Sequence, residues 1–581
     1  MSTTYIAHND NNIIHCARYI FFLQRNFISK KLITIWNISQ YCRSYNYNTF
    51  KTIFQLFIYT VKMLVLCYSV VVKIIRILNM KIFRHRSLCQ KQTSWKEILL
   101  NLADFCLYIA TVPFSQLFGL ILGYYLSMPT INNIIPANNN NKFKEKYIVG
   151  PCLALFSILC LPIASFAFLS WMLLCKTFKK NDATYIVFEN DVKHDNHSTT
   201  FKFVSGNLLL GPEFLGKIQN LPNVHKRLLG CADSLSMGNT SHYAPNCSIL
   251  EGSHFSTEFK RDSAIIEEWP DNVDFVCLQE VWDRLSAITL IFKLCSQFKF
   301  FLTDICQDLG NSSHLFRTSG LFIASRYPVL ETKVEFFQPV AFYQRIFAHA
   351  CVFVKLDLSS LNKSSSNDTQ LVGYLANVHL PAYENEKTSR SRNTTPLSRL
   401  HNEFVKFQMK TIRKNEDCAF SVITGDFNLC NVSPCDSFEQ NNPIYSSYID
   451  YCRVKPGVDH DWTIGTEVRQ LSLLDPIFQS PESLGRCLND DIKRRHYILD
   501  ANLNDISPAT PFILPQPNEH GEVVAEANTG GKRRVDKILY NPSCVFGTPN
   551  SFQFVTALAS FTDHIPICME LKRNKWDSYI S

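Results

Sequence analysis

Acidic residues are missing from residues 11–96: neither Asp nor Glu occurs there, while Lys and Arg occur 14 times. The chain of 581 residues carries 58 basic and 50 acidic residues, so the remainder holds 44 basic against 50 acidic and is mildly negative. That polarity argues against a basic nucleic-acid groove on the body, so no nucleic acid is expected as a partner. It points instead to an anionic phospholipid surface facing the amino-terminal part. Charge of either sign is absent from residues 147–175, 29 residues where about 20 suffice to span a bilayer core as helix. Residues 105–127 are also uncharged and apolar; a weaker stretch, 53–78, is broken by Lys62, Lys73 and Arg76. Pro113, Pro151 and Pro162 inside the strong stretches favour kinked or re-entrant segments over straight spans. Two spans, or a hairpin dipping into one leaflet, would both return the chain to its starting side, which the basic residues place in the cytoplasm. Lys142, Lys144 and Lys146 in the loop between them fit the hairpin slightly better. A buried helical hairpin in a soluble protein is the alternative.

Other absences narrow the class further. Among 21 cysteines no CxxC pair occurs, so neither a zinc motif nor a disulfide framework is expected, and reduced thiols in the cytosol are. No apolar core with a small-residue cleavage site opens the chain, so no cleaved signal peptide is expected. No internal repeat is visible.

What is present begins near residue 200, where short apolar runs alternate with helical stretches, the pattern of a layered α/β domain. Strands are expected at 273–278, 371–376, 420–424 and 535–539, and an amphipathic helix at 398–412. This gives a basic, apolar membrane-association region at 1–182 and a catalytic domain at 183–575, with flexible insertions near 230–258 and 358–369 that are too rich in Ser, Asn or Gly to bury a core.

Polar residues recur where the apolar runs end: Glu280, His379, Asp426 with Asn428, Asp536, and Asp563-His564. Acid, histidine, acid-amide, acid, acid-histidine is a set that suits metal-assisted cleavage of a phosphate ester. A hard divalent cation needs one or two carboxylates, so Glu280 with Asn207 would be enough, with Asp563 on the metal side. His564 is the expected general base, oriented by Asp536. His379 would donate to a phosphoryl oxygen, Asp426 would position water or protonate the leaving oxygen, and Asn428 would bind phosphate. Each residue taken singly also has a bland reading, such as an ordinary Asx turn for Gly425-Asp426-Phe427-Asn428. The order of the whole set favours catalysis.

The series resembles the endonuclease/exonuclease/phosphatase superfamily and, within it, the type 2 neutral sphingomyelinases. The nearer resemblance rests on Gly211-Pro212, Asn220-Leu221-Pro222-Asn223, Ser319-Gly320-Leu321-Phe322-Ile323-Ala324-Ser325-Arg326-Tyr327-Pro328, Tyr451-Cys452-Arg453, Pro456-Gly457 and Trp462-Thr463-Ile464-Gly465-Thr466. It implies a four-layered α/β sandwich behind an amino-terminal helical membrane-associated hairpin. It also implies Mg²⁺-dependent hydrolysis of sphingomyelin to ceramide and phosphocholine at the cytoplasmic face of Golgi or plasma membrane, activation by anionic phospholipids, and palmitoylation, with Cys152 and Cys160 as counterparts. The chain departs from that family where His349 stands in place of a lysine and Gln344 in place of an aspartate, which marks both as regulatory positions. Competing readings are another phosphodiesterase or phosphatase of the same superfamily and a non-catalytic membrane scaffold.

Overall fold

The computed structural model describes residues 184–188, 199–211, 213–237, 264–282, 284–303, 305, 318–338, 348–361, 369–381, 396–501 and 530–574, with a few between 164 and 173. All fall within one compact unit, Ile77–Ser581. Residues 53–78 and 105–127, Cys152, Cys160 and Gln344 lie outside the described residues, as does most of 147–175. Among the described residues no helix is long and apolar enough to cross a membrane.

Sixteen strands are described: β1 (Thr184–Val187), β2 (Thr200–Leu210), β3 (Ile265–Ile266), β4 (Phe275–Val281), β5 (Phe300–Thr303), β6 (Phe322–Ser325), β7 (Val329–Phe336), β8 (Ala350–Asp357), β9 (Gln370–His379), β10 (Glu416–Asp426), β11 (Ile449–Asp450), β12 (Arg453–Lys455), β13 (Val458–Asp459), β14 (Asp536–Tyr540), β15 (Thr548–Val555) and β16 (Ile567–Lys572). They build one sheet in the order β1-β5-β6-β4-β2-β16-β15-β3 and a second in the order β11-β14-β10-β9-β8-β7, with β12-β13 as a separate hairpin. The fold is mixed α/β. The four expected strands and the expected helix, observed as Pro396–Thr411, are all present, each displaced by a few residues.

Side chains alternate across each strand, and here both faces are apolar, the mark of strands covered on both sides. Phe203, Phe275, Leu375, Val422 and Ile538 point into the core between the sheets. Their neighbours Val204 and Val276 face the helices Val224–Met237 and Arg284–Leu294. Ala376, Ile423 and Leu539 face Leu397, Leu400, Phe404 and Phe407 of the helix Pro396–Thr411, whose spacing of three and four places them on one stripe. Phe203, Phe275 and Phe420 lock the two sheets together, with ring centroids 5.0–5.3 Å apart. Truncating one such buried ring costs about 3–5 kcal/mol.

One expected insertion is corrected. The stretch expected to loop out from residue 230 begins inside the helix Val224–Met237. Leu228, Cys231, Ala232 and Leu235 recur at helical spacing and are buried against the sheet, so burial outweighs the Ser- and Gly-containing composition. Residues 238–258 lie outside the described residues. The second stretch does connect adjacent antiparallel strands, β8 and β9, and opens with a single 3₁₀ turn, Ser359–Leu361.

Gly425 is required by close approach. Its φ of +141° disfavours other residues, and a Cβ there would lie 2.0 Å from the Val378 carbonyl oxygen. Gly425→Ala is expected to destabilise the domain by about 2–4 kcal/mol. Denaturant unfolding measures this, and a midpoint equal to wild type would refute the argument.

Candidate active site

The backbone register brings the polar series together. His379 ends β9 and Asp426 ends β10, and the two residues are partners across a parallel pair. Asp536 opens β14 and is the antiparallel partner of Asp426 on its other side. In the other sheet Asn207 of β2 pairs with Gln279 of β4, one residue before Glu280. A polar bridge joins the two levels: Gln279 Nε2 donates to Asn377 Oδ1 at 2.7 Å. All of these groups are wholly or largely buried, so each needs a partner.

Two local distortions aim the side chains. β2 and β4 lose register between Asn207 and Leu210, and Leu209 and Glu280 both adopt left-handed backbone, φ +48° and +59°. For non-glycine residues this costs about 1–3 kcal/mol and concentrates at functional sites. Arg227 fastens the bulge, donating to the carbonyls of Leu208 (3.2 Å), Leu209 (2.8 Å) and Phe561 (2.7 Å). Thr562 Oγ1 donates to the Asn207 carbonyl at 2.5 Å and accepts from the His564 N–H at 3.2 Å. The Asn207 strand and the Asp563-His564 loop are thereby one unit.

Glu280, His379 and Asp426 each offer a ligand atom within 4.8 Å of the others. His379 Nε2 stands 3.6 Å from Glu280 Oε1 and 3.8 Å from Asp426 Oδ2. The Asn207 amide lies between the carboxylates, with Nδ2 at 2.8 Å from Glu280 Oε1 and 3.1 Å from Asp426 Oδ2. Asn207 Oδ1 accepts from the Leu209 N–H at 3.2 Å, so its carbonyl is turned away from the carboxylates. Asp426 Oδ1 accepts from the Asn428 N–H, and Asn428 Nδ2 donates to the Leu380 carbonyl, both at 2.8 Å.

Beside this cluster His564 Nδ1 meets Asp536 Oδ2 at 2.8 Å. Thr466 Oγ1 accepts from the N–H groups of Val535 and Asp536, both at 3.1 Å, and so fixes the carboxylate's backbone. His349 stacks obliquely near His379, with ring centroids 4.5 Å apart. Trp282 lies 6.3 Å from His379. Gly320, at φ +68°, makes room for it, because a Cβ there would fall 2.6 Å from the indole.

The electrostatics show what the cluster could hold. Burial, then the charges of Asp563 and Asp426, push Glu280 up to about 8, against the pull of Asn207 and His564. Burial also raises Asp536 and Asp563. His379 is pulled down to about 3 by burial and by His564 and is neutral at ordinary pH. Burial disfavours charge on His564, but Asp536, Asp426 and Asp563 outweigh it and raise the imidazole well above its usual range. Glu280 Oε2, Asp536 Oδ1 and Asp563 Oδ1 are buried and have no hydrogen-bond partner. Crowded, under-satisfied carboxylate oxygens fit a hard divalent cation, and Mg²⁺ is of that type.

Of the expected site residues, the structure gathers Asn207, Glu280, His379, Asp426 and Asn428, with Asp536, Asp563 and His564 alongside. His379, which the sequence pattern assigns to a phosphoryl oxygen, also lies within reach of the two carboxylates that could hold a cation. Arg227, Thr466, Thr562 and Trp282 were not singled out; Thr466 does lie in the Trp462–Thr466 segment that carries the family resemblance.

No protein-family model matches the chain. Sphingomyelin phosphodiesterase 5 of Danio rerio is 32% identical over 309 residues, covering 52% of this chain and 53% of that protein. Human sphingomyelin phosphodiesterase 3 is 29% identical over 321 residues, 53% of this chain and 46% of that protein. The chain thus spans about half the length of the curated relatives it matches, and the resemblance read from the motifs is borne out over that part. Sphingomyelinase C from Streptomyces griseocarneus aligns with 64% of this chain and 99% of that one, at 11% identity and a TM-score of 0.32, a likeness too slight to carry an argument.

Proposed function

We propose that this chain hydrolyses sphingomyelin to ceramide and phosphocholine with Mg²⁺. In this reading the catalytic domain, 183–575, is a four-layered α/β sandwich. The region 1–182 holds it at the cytoplasmic face of Golgi or plasma membrane, next to anionic phospholipids, with Cys152 and Cys160 as palmitoylation sites. The observation that carries the reading is the Glu280–Asn207–Asp426–His379 cluster, built from both sheets, beside the His564–Asp536 pair. The sphingomyelin phosphodiesterase relatives support the choice of substrate.

Glu280 and Asp426 would hold the cation, with Asp563 near it and Asn207 after an amide turn. When bound, Mg²⁺ supplies charge neutralisation for the phosphoryl group. The protein does the rest. Asp536 grips Nδ1 of His564, which fixes the ring and leaves Nε2 for the reacting oxygen. The carboxylates that raise His564 are those a cation would offset, so cation occupancy and the proton affinity of the base are linked. Neutral His379 keeps one N–H to donate to a phosphoryl oxygen. Asn428, turned in by its left-handed backbone, offers its remaining amide N–H to the same group.

The test compares phosphocholine release from sphingomyelin in micelles containing anionic phospholipid with nicking of supercoiled DNA. Release that chelator abolishes and Mg²⁺ restores, without nicking, is the expected result. Nicking without release would overturn the reading in favour of a nuclease of the same fold.

His349 is proposed as a regulatory residue because its buried ring adjoins that of His379, at the position where the resembled family has a lysine. His349→Lys, which places a fixed charge beside His379, should therefore change the pH profile of activity. An unchanged profile would remove His349 from this role. Gln344 belongs to the same proposal, and Gln344→Asp should shift the profile only when His349 is present.

A further inference from the structure

We infer that Cys418 and Cys544 are a disulfide-forming modification site, readily oxidised by a hydroperoxide. Their sulfurs lie 3.4 Å apart although the residues are 126 positions apart in the chain. Cys418 is only partly exposed near the start of β10, and Cys544 is buried in the turn that follows β14.

The backbones on both sides are already paired. Val545 N–H donates to the Cys418 carbonyl at 3.1 Å, Phe546 N–H to the Ala419 carbonyl at 2.7 Å, and Asn541 N–H to the Ser421 carbonyl at 3.0 Å. Asn574 pins the turn from outside, donating to the Cys544 carbonyl at 2.7 Å through its side chain and to the Val545 carbonyl at 2.8 Å through its N–H. Backbones paired in this way run about 5 Å apart, within the Cα separation a disulfide accepts. The sulfurs need only close by about 1.4 Å to reach bonding distance, a change that side-chain rotation supplies. The same sulfur–sulfur contact lowers the Cys544 thiol below its ordinary range while raising that of Cys418, so Cys544 is the sulfur favoured as thiolate.

The step balances with hydrogen peroxide as oxidant. One thiolate attacks a peroxide oxygen; the S–O bond forms, the O–O bond breaks, and the departing hydroxide takes up a proton as water. The second sulfur then displaces hydroxide from the sulfenic acid, forming the S–S bond and releasing a second water. Two thiols and one peroxide thus yield one disulfide and two waters. The bridge would tie β10 to the turn after β14, the strands whose opposite ends carry Asp426 and Asp536.

The full chain is treated with hydrogen peroxide, denatured in iodoacetamide, digested and analysed by mass spectrometry. The expected product is the Cys418 peptide joined to the Cys544 peptide, two hydrogens lighter than their sum and separated by dithiothreitol. Cys277 and Cys568, buried within strands, should remain alkylated as free thiols. In Cys418→Ser the cross-link should vanish. The inference is overturned if wild-type Cys418 and Cys544 both emerge alkylated, oxidised to sulfinic acid without a cross-link, or joined to other cysteines. That readout requires no variant to fold.

Discussion

His564→Ala is expected to lower phosphocholine release by roughly 10³-fold with little change in KM, because the loss falls on proton transfer rather than on substrate binding. Asp536→Asn should lose a similar factor. The imidazole would keep a partner at Nδ1, but an amide cannot support its charged form or fix its tautomer as the carboxylate does. The two residues act as one unit, so the double variant should lose little more than either single variant. Losses that multiply would mean that His564 and Asp536 work separately. Folding must be checked, because removing His564 leaves the wholly buried Asp536 without its ionic partner, at a cost of about 3–5 kcal/mol. The pair also has a pH signature. His564 is raised above its unfolded value, so its stabilising contribution is complete below about pH 6.5 and is lost as pH climbs through the folded value. Asp536→Asn should reduce this alkaline sensitivity, which thermal unfolding across pH would reveal.

The outline of this site was readable in the sequence because it obeys local rules. A carboxylate or histidine closing a run of buried apolar residues, as in Val378-His379 or Gly425-Asp426, announces a strand end with a polar task. What escaped was long-range. Thr562 reaches the Asn207 carbonyl across 355 positions, and Arg227 reaches the Phe561 carbonyl across 334. No periodicity encodes such a contact, and an isolated Thr or Arg carries no spacing signal. The left-handed backbone at Glu280 was equally hidden, since neither its residue type nor its neighbours favour φ above zero; tertiary packing imposes it. The helix around Gly230 was missed for the opposite reason: composition suggested a loop, while Leu228, Cys231, Ala232 and Leu235 carried a period that only the sheet beneath them makes decisive.

Glu280→Gln should divide stability from activity. The glutamine is isosteric and keeps an oxygen for the Asn207 amide, so the fold should survive. Turnover should fall by about 10³-fold or more and no longer respond to added Mg²⁺, because a neutral amide neither attracts a divalent cation nor balances it. Stability without metal should move the other way. Glu280 is an acid whose folded-state value is raised to about 8, so the fold prefers its protonated form. Its contribution is complete below the unfolded value near 4.5 and is lost as pH rises through about 8. At ~1.4 kcal/mol per unit, the whole excursion reaches a few kcal/mol. Metal-free wild type should therefore lose thermal midpoint between about pH 5 and 8, while Glu280→Gln holds a flatter curve and exceeds wild type at the alkaline end. Mg²⁺ should raise the midpoint of wild type and leave the variant unmoved. If the variant instead melts lower than metal-free wild type at pH 8, Glu280 is a structural hydrogen-bonding group, and the cation must be held elsewhere.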